Sequence, residues 1–588
     1  MTTTSPQAFP ESGVRKLSTR EQLQRAKALA CTVSAERLPT CSGQVFVGLF
    51  FDGTGNNMRA DYELPPPEQR KHSNVVKLFL THIDPLTRPG YYPFYVPGVG
   101  TPFPEIGDTG GPMGSIAAAG GEERVLWGFT RLVNAPHQYV FNDAPLITNA
   151  DAKAIAGYLS STGTSAFIRR AMFRAWQQKL KAALNDKKPR VEQINLSVFG
   201  FSRGAAQARA FVNWIFETCE PEGGGWTFAG IPIRLQFLGI FDTVASVGLA
   251  NLYDNGVLTG HQSWADGSLE IHPAVEQCVH YVAGHETRAC FPLDSVRVKS
   301  RYPPNAMEVM YPGAHSDVGG GYAPKALGVS PTQESLLSII PGVNMYHEAR
   351  KAGVPLLPFD QLSESIQKSL TPDPQVISDF NGFLRGAKLG SSPIEDMGRR
   401  HMSLYFSYRF KHLHSVQYYA TPPYRNASPK DRSYLYKTQR TLFMQMAKLM
   451  DTVKEREPTY AANWPFLKRY GQVIDGARRS WDELHAAPSI WDKTWTTAWR
   501  SIAIGPIRLG TVVDNAEPAF VAVGKNPMQH AFEVAQSINL EAVTPEIQTF
   551  FDRYIHDSQA GFIDMGMDEY QRNGIGFVKF RTVFKGAD

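Results

Sequence analysis

Apolar and polar positions follow two different rhythms along this chain. Residues 1–43 are polar apart from one helical stretch around Glu21–Ala30, and are read as an arm or docking segment. The pattern changes sharply at Gln44-Val-Phe-Val-Gly-Leu-Phe-Phe51, an almost unbroken apolar run. Such a run suits a parallel strand covered on both faces. It stops at Asp52-Gly-Thr-Gly-Asn-Asn57, a cluster of turn formers. Glycines from Gly98 to Gly121 predict a mobile surface loop system.

Helical periodicity then spans Ser165–Asn185, with Phe167, Met172, Trp176, Leu180 and Ala183 toward one face, and Pro189 ends it. A strand over Ile194–Phe199 runs straight into Gly200-Phe-Ser-Arg-Gly204 and an Ala-rich helix over Ala205–Glu217. Another strand, Ile233–Phe241, ends at Asp242, and the apolar segment Ala306–Tyr311 leads to His315. Strands alternating with helices predict an α/β fold on a mostly parallel sheet with right-handed crossovers. Beyond about residue 330 helical periodicity dominates. The expected organisation is therefore the arm 1–43, a core over 44–330, a large, mainly helical module over 331–540, and a C-terminal segment 541–588 that returns to the core.

The chain has 588 residues, enough for several domains, and 43% of them are hydrophobic, so a disordered or fibrous class is excluded. A net charge of +5 over this length is too mild for a dedicated nucleic-acid binder, and no nucleic-acid partner is expected. The charge is uneven: Lys430–Arg508 holds 14 Lys/Arg against 8 Asp/Glu. Cys31, Cys41, Cys219, Cys278 and Cys290 show neither disulfide-framework nor zinc spacing. No apolar run reaches membrane-spanning length, and Met1-Thr-Thr-Thr-Ser-Pro-Gln has no signal-peptide character. Synthesis in a cytoplasm is expected, and action outside the producing cell would need a dedicated delivery route.

Gly200-Phe-Ser202-Arg-Gly204 fits G-x-S-x-G, with an apolar strand before it and a helix after it. A serine nucleophile needs that sharp turn to expose its oxygen, and flanking glycines let neighbouring backbones approach. The bland alternative is a tight turn in which Ser202 caps the helix. A serine needs a base and the base an orienting acid, in the chain order Ser, Asp/Glu, His. Asp242, at a strand's carboxyl end, is the acid, and His315, in Tyr311-Pro-Gly-Ala-His-Ser-Asp-Val-Gly-Gly-Gly321, is the base. Rivals for the base are His280, His285 and His556, and Asp317 is close enough in sequence to compete as the acid. An oxyanion needs two donors: the amide of Arg203, after the nucleophile, and the amide of Gly53 or Thr54 in the loop after the first strand. Asp52 with Asn56 and Asn57 could instead form a phosphate or cation loop, but no spacing identifies a metal. Three reactive types in a row, His556-Asp557-Ser558, cannot converge as a triad.

Taken together, Phe51-Asp-Gly-Thr-Gly-Asn-Asn57, Tyr95-Val-Pro-Gly-Val-Gly-Thr101, Gly200-Phe-Ser-Arg-Gly-Ala205, Phe241-Asp-Thr-Val-Ala-Ser-Val247 and His315-Ser-Asp-Val-Gly-Gly-Gly321 resemble, in that order, the first class of type VI secretion lipase effectors. Tyr554-Ile-His-Asp-Ser-Gln-Ala-Gly-Phe562 and Arg581-Thr-Val-Phe584 are also similar to that family. The resemblance implies an α/β-hydrolase-like fold and a phospholipase of the A type, with Ser202, Asp242 and His315 as its triad; that triad mechanism itself requires no metal, and no cofactor is expected. It also implies delivery by the type VI machine to a rival bacterium, with the VgrG spike protein as carrier and a cognate immunity protein as second partner. A soluble-ester hydrolase, or a membrane- or partner-binding module with a vestigial triad, is the alternative.

Trp491, Trp495 and Trp499 repeat at i, i+4, i+8 within the basic region, so one helical face carries all three. Such a stripe is either core or a contact with a phospholipid membrane, where Trp and Lys/Arg are favoured.

Overall fold

The computed structural model describes residues 2–32, 41–84, 86, 88–111, 120–161, 166–245, 263–265, 269–288, 291–299, 301–482, 527–561 and 578–584. Trp491, Trp495 and Trp499 lie outside them, as do Val247 and Cys290.

The strands are β1 (Thr3–Thr4), β2 (Ser42–Phe51), β3 (Tyr91–Val96), β4 (Arg190–Phe201), β5 (Glu220–Glu222), β6 (Gly225–Phe228), β7 (Ile231–Phe241), β8 (Cys278–Ala283), β9 (Leu293–Asp294), β10 (Ala306–Tyr311), β11 (Ser391–Ser392) and β12 (Val583–Phe584). Ten of them form one sheet in the order β11-β1-β10-β8-β7-β4-β2-β3, with β6 on β7 and β5 on β6. From β1 across to β3 every neighbouring pair is parallel. The β5–β6 hairpin and the edge strand β11 are antiparallel. The fold is thus α/β with a mostly parallel central sheet.

Sequence alternation accounts for the two covering layers. On β2, Val45, Val47, Leu49 and Phe51 enter one apolar cluster while Phe50 enters the other. Successive strand side chains point to opposite faces, so a continuous apolar run is what a two-sided strand requires. The first face is covered by α3 (Gly121–Val140), α4 (Ala166–Leu184) and α5 (Arg203–Phe216). The second face is covered by α2 (Asn74–Leu80) and α7 (Ile339–Lys351), with α12 (Pro545–Tyr554) in the same cluster; the N-terminal arm carries α1 (Thr19–Ala30). Residues beyond 330 therefore help to build the layer over the sheet.

A third cluster is helical. It joins α8 (Ile394–Lys411), α9 (Pro429–Arg456), α10 (Pro465–Asp482) and α11 (Pro527–Ser537). Helix α8 serves both sides: Met397, Tyr405 and Tyr408 belong to the sheet layer, and Met402, Phe406 and Phe410 to the helical cluster. Trp464 and Trp481 are buried in that cluster, and the Trp481 indole N–H donates to the Leu413 carbonyl at 2.9 Å. These two tryptophans of the basic region are core residues.

Two sequence expectations are corrected. On α4 the buried positions are Arg169, Phe173, Gln177 and Leu180, whereas Phe167 is 74% exposed. The stripe turns by one residue because Phe173 stacks on Phe129 at 3.7 Å, and Arg169 pairs with Glu217 and lies over Trp214. The Gly-rich stretch is also not loose over residues 98–111. The buried Arg124 ties it down, donating to the Pro97, Gly98 and Thr101 carbonyls and pairing with Asp108 at 2.7 Å. Among the described residues no helix is long and apolar enough to cross a membrane.

Candidate functional site

The registers bring β2, β4, β7, β8 and β10 to an end along one edge. Phe51 lies opposite Gly200, Phe201 opposite Phe241, Phe241 opposite Tyr281, and Ala283 opposite Tyr311. The residues that follow these strands, starting at Asp52, Ser202, Asp242, Gly284 and Pro312, gather there. The carboxyl ends of parallel strands are where α/β sheets bind ligands.

Ser202 stands between β4 and α5 with φ 59° and ψ −127°, a backbone state that a non-glycine residue adopts only under constraint. The constraint is visible: Ser202 N–H donates to the Phe241 carbonyl at 3.0 Å, and its own carbonyl accepts from Ala205 and Val244. Both flanking glycines are sterically required. A methyl on Gly200 would meet Gly204 and Ala205, and one on Gly204 would meet the carbonyl oxygens of Phe51 and Asp52. Asp242 is also strained, with φ 40°.

Asp242 and His315 meet, with His315 Nδ1 at 2.5 Å from Asp242 Oδ2. The imidazole lies against Phe201, the residue before Ser202, at 4.6 Å between ring centres, and Phe291 packs edge-on at 5.0 Å. A side chain on Gly319 would overlap the Phe201 ring, so the glycine run after His315 is what lets this turn seat against the serine elbow. His315 opens a short helix, α6 (His315–Gly319), rather than sitting in an extended loop.

Asp242 is wholly buried and has further donors. Arg581, which is 339 positions away in the chain, grips both oxygens at 2.8 Å each, and Ala283 N–H donates at 2.8 Å. Burial would raise this carboxyl, but Arg581 and His315 hold it far below the usual carboxylate range. For His315 burial wins: the imidazole is held below its ordinary value despite the Asp242 bond. A second buried carboxylate, Glu286, accepts the His315 backbone N–H at 3.2 Å and pairs with Arg288 at 2.9 Å. Burial pushes Glu286 up, and Arg288, Arg581 and His315 bring it down to about 2.

The loop after β2 faces the elbow. Arg203 Nε donates to Thr54 Oγ1 at 2.6 Å, joining the residue after Ser202 to that loop. The Gly53 amide is taken by Asp52 Oδ1 at 2.8 Å, whereas no acceptor takes the Thr54 amide among the described residues. Tyr95 donates to the other Asp52 oxygen at 2.6 Å, and burial raises Asp52 to about 6. Among the described residues no group of three or more His, Cys, Asp or Glu side chains is arranged to hold a metal ion.

The other histidines are committed elsewhere. His280 pairs with Glu308 at 3.0 Å and accepts the Thr243 amide on its other nitrogen. His285 accepts the Gly313 amide and contacts His401. Asp317 does not touch His315 through its carboxylate. It pairs with His556 Nδ1 at 2.6 Å and accepts the amides of Ala314 and His556. Asp557 pairs with buried Arg409 at 2.6 Å, and Ser558 donates to Glu286 at 2.9 Å. The three residues of His556-Asp-Ser558 thus have three separate partners, as adjacent side chains must.

Sequence reasoning passed over β8, Glu286 and the role of Arg581. Strand β8 reads as Cys-Val-His-Tyr-Val-Ala, a short apolar run with a histidine inside it. No spacing rule connects Arg581 to Asp242, because the contact is made by the fold.

Residues 222–348 match the family model described as "T6SS, Phospholipase effector Tle1-like, catalytic domain". The matched stretch includes Asp242, Glu286 and His315, and Ser202 lies before it. It supports a phospholipase-effector catalytic domain of the Tle1-like type in this chain. No curated protein sequence matches the chain. Of solved structures, an uncharacterized protein from Pseudomonas aeruginosa superposes with a TM-score of 0.71 at 24% identity, covering 99% of this chain and 85% of that one. That likeness shows a shared fold. The Tle1 effector bound to the VgrG spike from the Type 6 secretion system aligns with a TM-score of 0.26 at 21% identity, over 50% of this chain and 56% of that one, below the level at which a shared fold is inferred.

Proposed function

We propose that this chain is a serine-dependent hydrolase of the phospholipase A type, releasing fatty acid from membrane glycerophospholipids. The observation that carries the reading is the strained Ser202 elbow beside a buried Asp242–His315 pair. In this mechanism His315, neutral because burial lowers it, takes the Ser202 proton through Nε2. Asp242 fixes the ring through Nδ1 and stabilises the imidazolium that forms. Ser202 Oγ adds to the acyl carbonyl carbon, and the amides of Arg203 and Thr54 receive the oxyanion. Thr54 is chosen over Gly53 because the Gly53 amide already serves Asp52. His315 then protonates the departing glycerol oxygen, leaving an acyl-enzyme. Water, deprotonated by the same imidazole, releases the fatty acid and restores Ser202.

The Tle1-like match over residues 222–348 supports the lipid substrate class. The proposal extends to use as an antibacterial effector, made in the cytoplasm and delivered by type VI secretion to a target cell's periplasm or membrane. A VgrG spike protein is the proposed carrier, and an immunity protein the proposed partner in the producer.

The test is fatty-acid release from defined glycerophospholipid vesicles by the wild type and Ser202→Ala in parallel. Release by the wild type alone is expected. Release of short soluble esters but not lipid would make the chain a soluble-ester hydrolase. Equal lipid release by both proteins would remove Ser202 from the mechanism.

A further inference from the structure

Among the described residues Arg581 is the one charged side chain that holds both oxygens of Asp242. Its Nη1 and Nη2 donate to Oδ1 and Oδ2 at 2.8 Å each, and Nη1 also reaches the Ala283 carbonyl at 3.2 Å. Its Nε donates to the Phe291 carbonyl at 2.8 Å, and the Phe291 ring packs edge-on against His315. One guanidinium therefore fixes the acid of the pair and a wall of the base. A planar fork with several fixed donors is suited to this, and a lysine point charge is not. Arg581 is itself held in place: β12 pairs in parallel with β9, and Leu293 N–H donates to the Thr582 carbonyl at 2.9 Å.

We infer that Arg581 is a positioning residue: the segment leading into β12 carries it to the sheet edge, where it locks Asp242, and through Asp242 aims His315. This inference rests on the Ser202–His315–Asp242 reading above. It adds that the site is incomplete without the segment that leads into β12. Asp242 shares its Oδ2 between His315 and Arg581, so removing the guanidinium frees the carboxylate to rotate on a strained backbone. A displacement of the base by about 1 Å is enough to cost roughly 100-fold in rate.

The charge consequence has a definite sign. His315 faces Asp242, Glu286, Arg288 and, through Asp242, Arg581. Deleting the Arg581 charge leaves two carboxylates against Arg288, which favours the imidazolium. The acidic limb of kcat/KM must then move to higher pH. A merely structural arginine would lower the folded fraction and leave that limb in place.

The test compares wild type, Arg581→Lys, Arg581→Ala and Val583→Ala on the full chain, with Ser202→Ala as the reference for chemistry. Val583 lies in β12, two residues after Arg581, and has no polar group to bond Asp242, so it reports damage to β12 alone. Arg581→Lys should lose about 10- to 100-fold in kcat with KM within about 2-fold, because the bound substrate is not contacted. Arg581→Ala should lose at least as much, show the acidic limb at higher pH, and regain activity in about 50 mM guanidinium, far below denaturing concentrations. A cavity of about 130 Å³ lined by Ala283, Leu293, Met310, Met402, Phe580 and Arg581 already lies beside the vacated place.

If Arg581→Ala does not fold, Arg581→Lys decides alone through its kcat and KM. The inference is overturned if the folded Arg581 variants keep kcat within about 3-fold and the limb where it was while Ser202→Ala is dead. It is equally overturned if Val583→Ala loses as much kcat as Arg581→Ala. If Ser202→Ala keeps full lipid release, it is the underlying hydrolase reading that fails.

Discussion

Two aspartate–histidine pairs lie within a few residues of each other in this molecule, and on bond length alone they are nearly the same. His315 meets Asp242 at 2.5 Å and His556 meets Asp317 at 2.6 Å, each through Nδ1 and each buried. What differs is everything around them. Asp242 sits at positive φ after a central strand, and its histidine packs on the residue before Ser202. Asp317 spends its second oxygen on the amides of Ala314 and His556, and His556 stacks flat on Tyr322 at 3.7 Å. The first pair lies beside the strained serine elbow, its ring against Phe201. The second is a strut that braces the turn presenting the first. A hydrogen-bonded pair is therefore not a functional signal by itself; strained backbone and the neighbours of the ring mark the first pair as the candidate site.

The largest expected difference between the two pairs is in rate. Asp242→Asn should lower kcat for lipid release by roughly 10⁴-fold, since it removes the charge and tautomer control that a serine–histidine site needs. Asp317→Asn should stay within about 10-fold of wild type per folded molecule, because it touches only the support. Parallel kinetics on folded protein check this. Comparable losses in the two variants would erase the distinction drawn between them.

Next in size is an effect on stability. The support pair is anchored by Asp557, which takes Arg409 Nη1 at 2.6 Å and Thr438 Oγ1 at 2.7 Å in a buried setting. Breaking a buried ion pair from one side leaves a charge without a partner, at a cost of about 3–5 kcal/mol. Arg409→Met should therefore lower stability by that amount in urea unfolding, with kcat per folded molecule nearly kept. A matched fall in kcat with no loss of stability would move Arg409 and Asp557 into the chemistry.

The sequence separates these regions unevenly, for physical reasons. The strands and the elbow were legible because their signals are local: the apolar run at 44–51, the glycines at 200 and 204 that no other residue could replace sterically, and an aspartate at a strand end. The order Ser202, Asp242, His315 follows from the same logic. The supports were not legible. Arg581, Glu286 and the Asp317–His556 pair depend on contacts across long sequence separations, which leave no periodicity. On α4 the apolar letters misled, because Arg169 and Gln177 are buried through an ion pair and hydrogen bonds while Phe167 faces out. The core-or-membrane alternative concerns Trp491, Trp495 and Trp499, which lie outside the described residues, while Trp464 and Trp481 of the same basic region are buried in the helical cluster.

The smallest expected effect is a pH profile that stays in place. His315 must be neutral to accept the Ser202 proton, and burial holds it below its ordinary value of 6.5. Activity should therefore rise with pH through a point below 6.5 and be fully developed at neutrality. The same depression has a stability sign. Between the folded value and 6.5 the unfolded chain binds more protons, so this group makes the fold more stable as pH rises through that window and adds no further change above it. His556→Gln leaves the Asp242–His315 pair and its charged neighbours intact, so its acidic limb should coincide with that of the wild type. Its cost belongs to folding: Asp317 loses a partner while buried, worth about 1–3 kcal/mol. A limb that moves in His556→Gln would mean that His556 acts on His315, and the division between chemistry and support would have to be redrawn around all four residues.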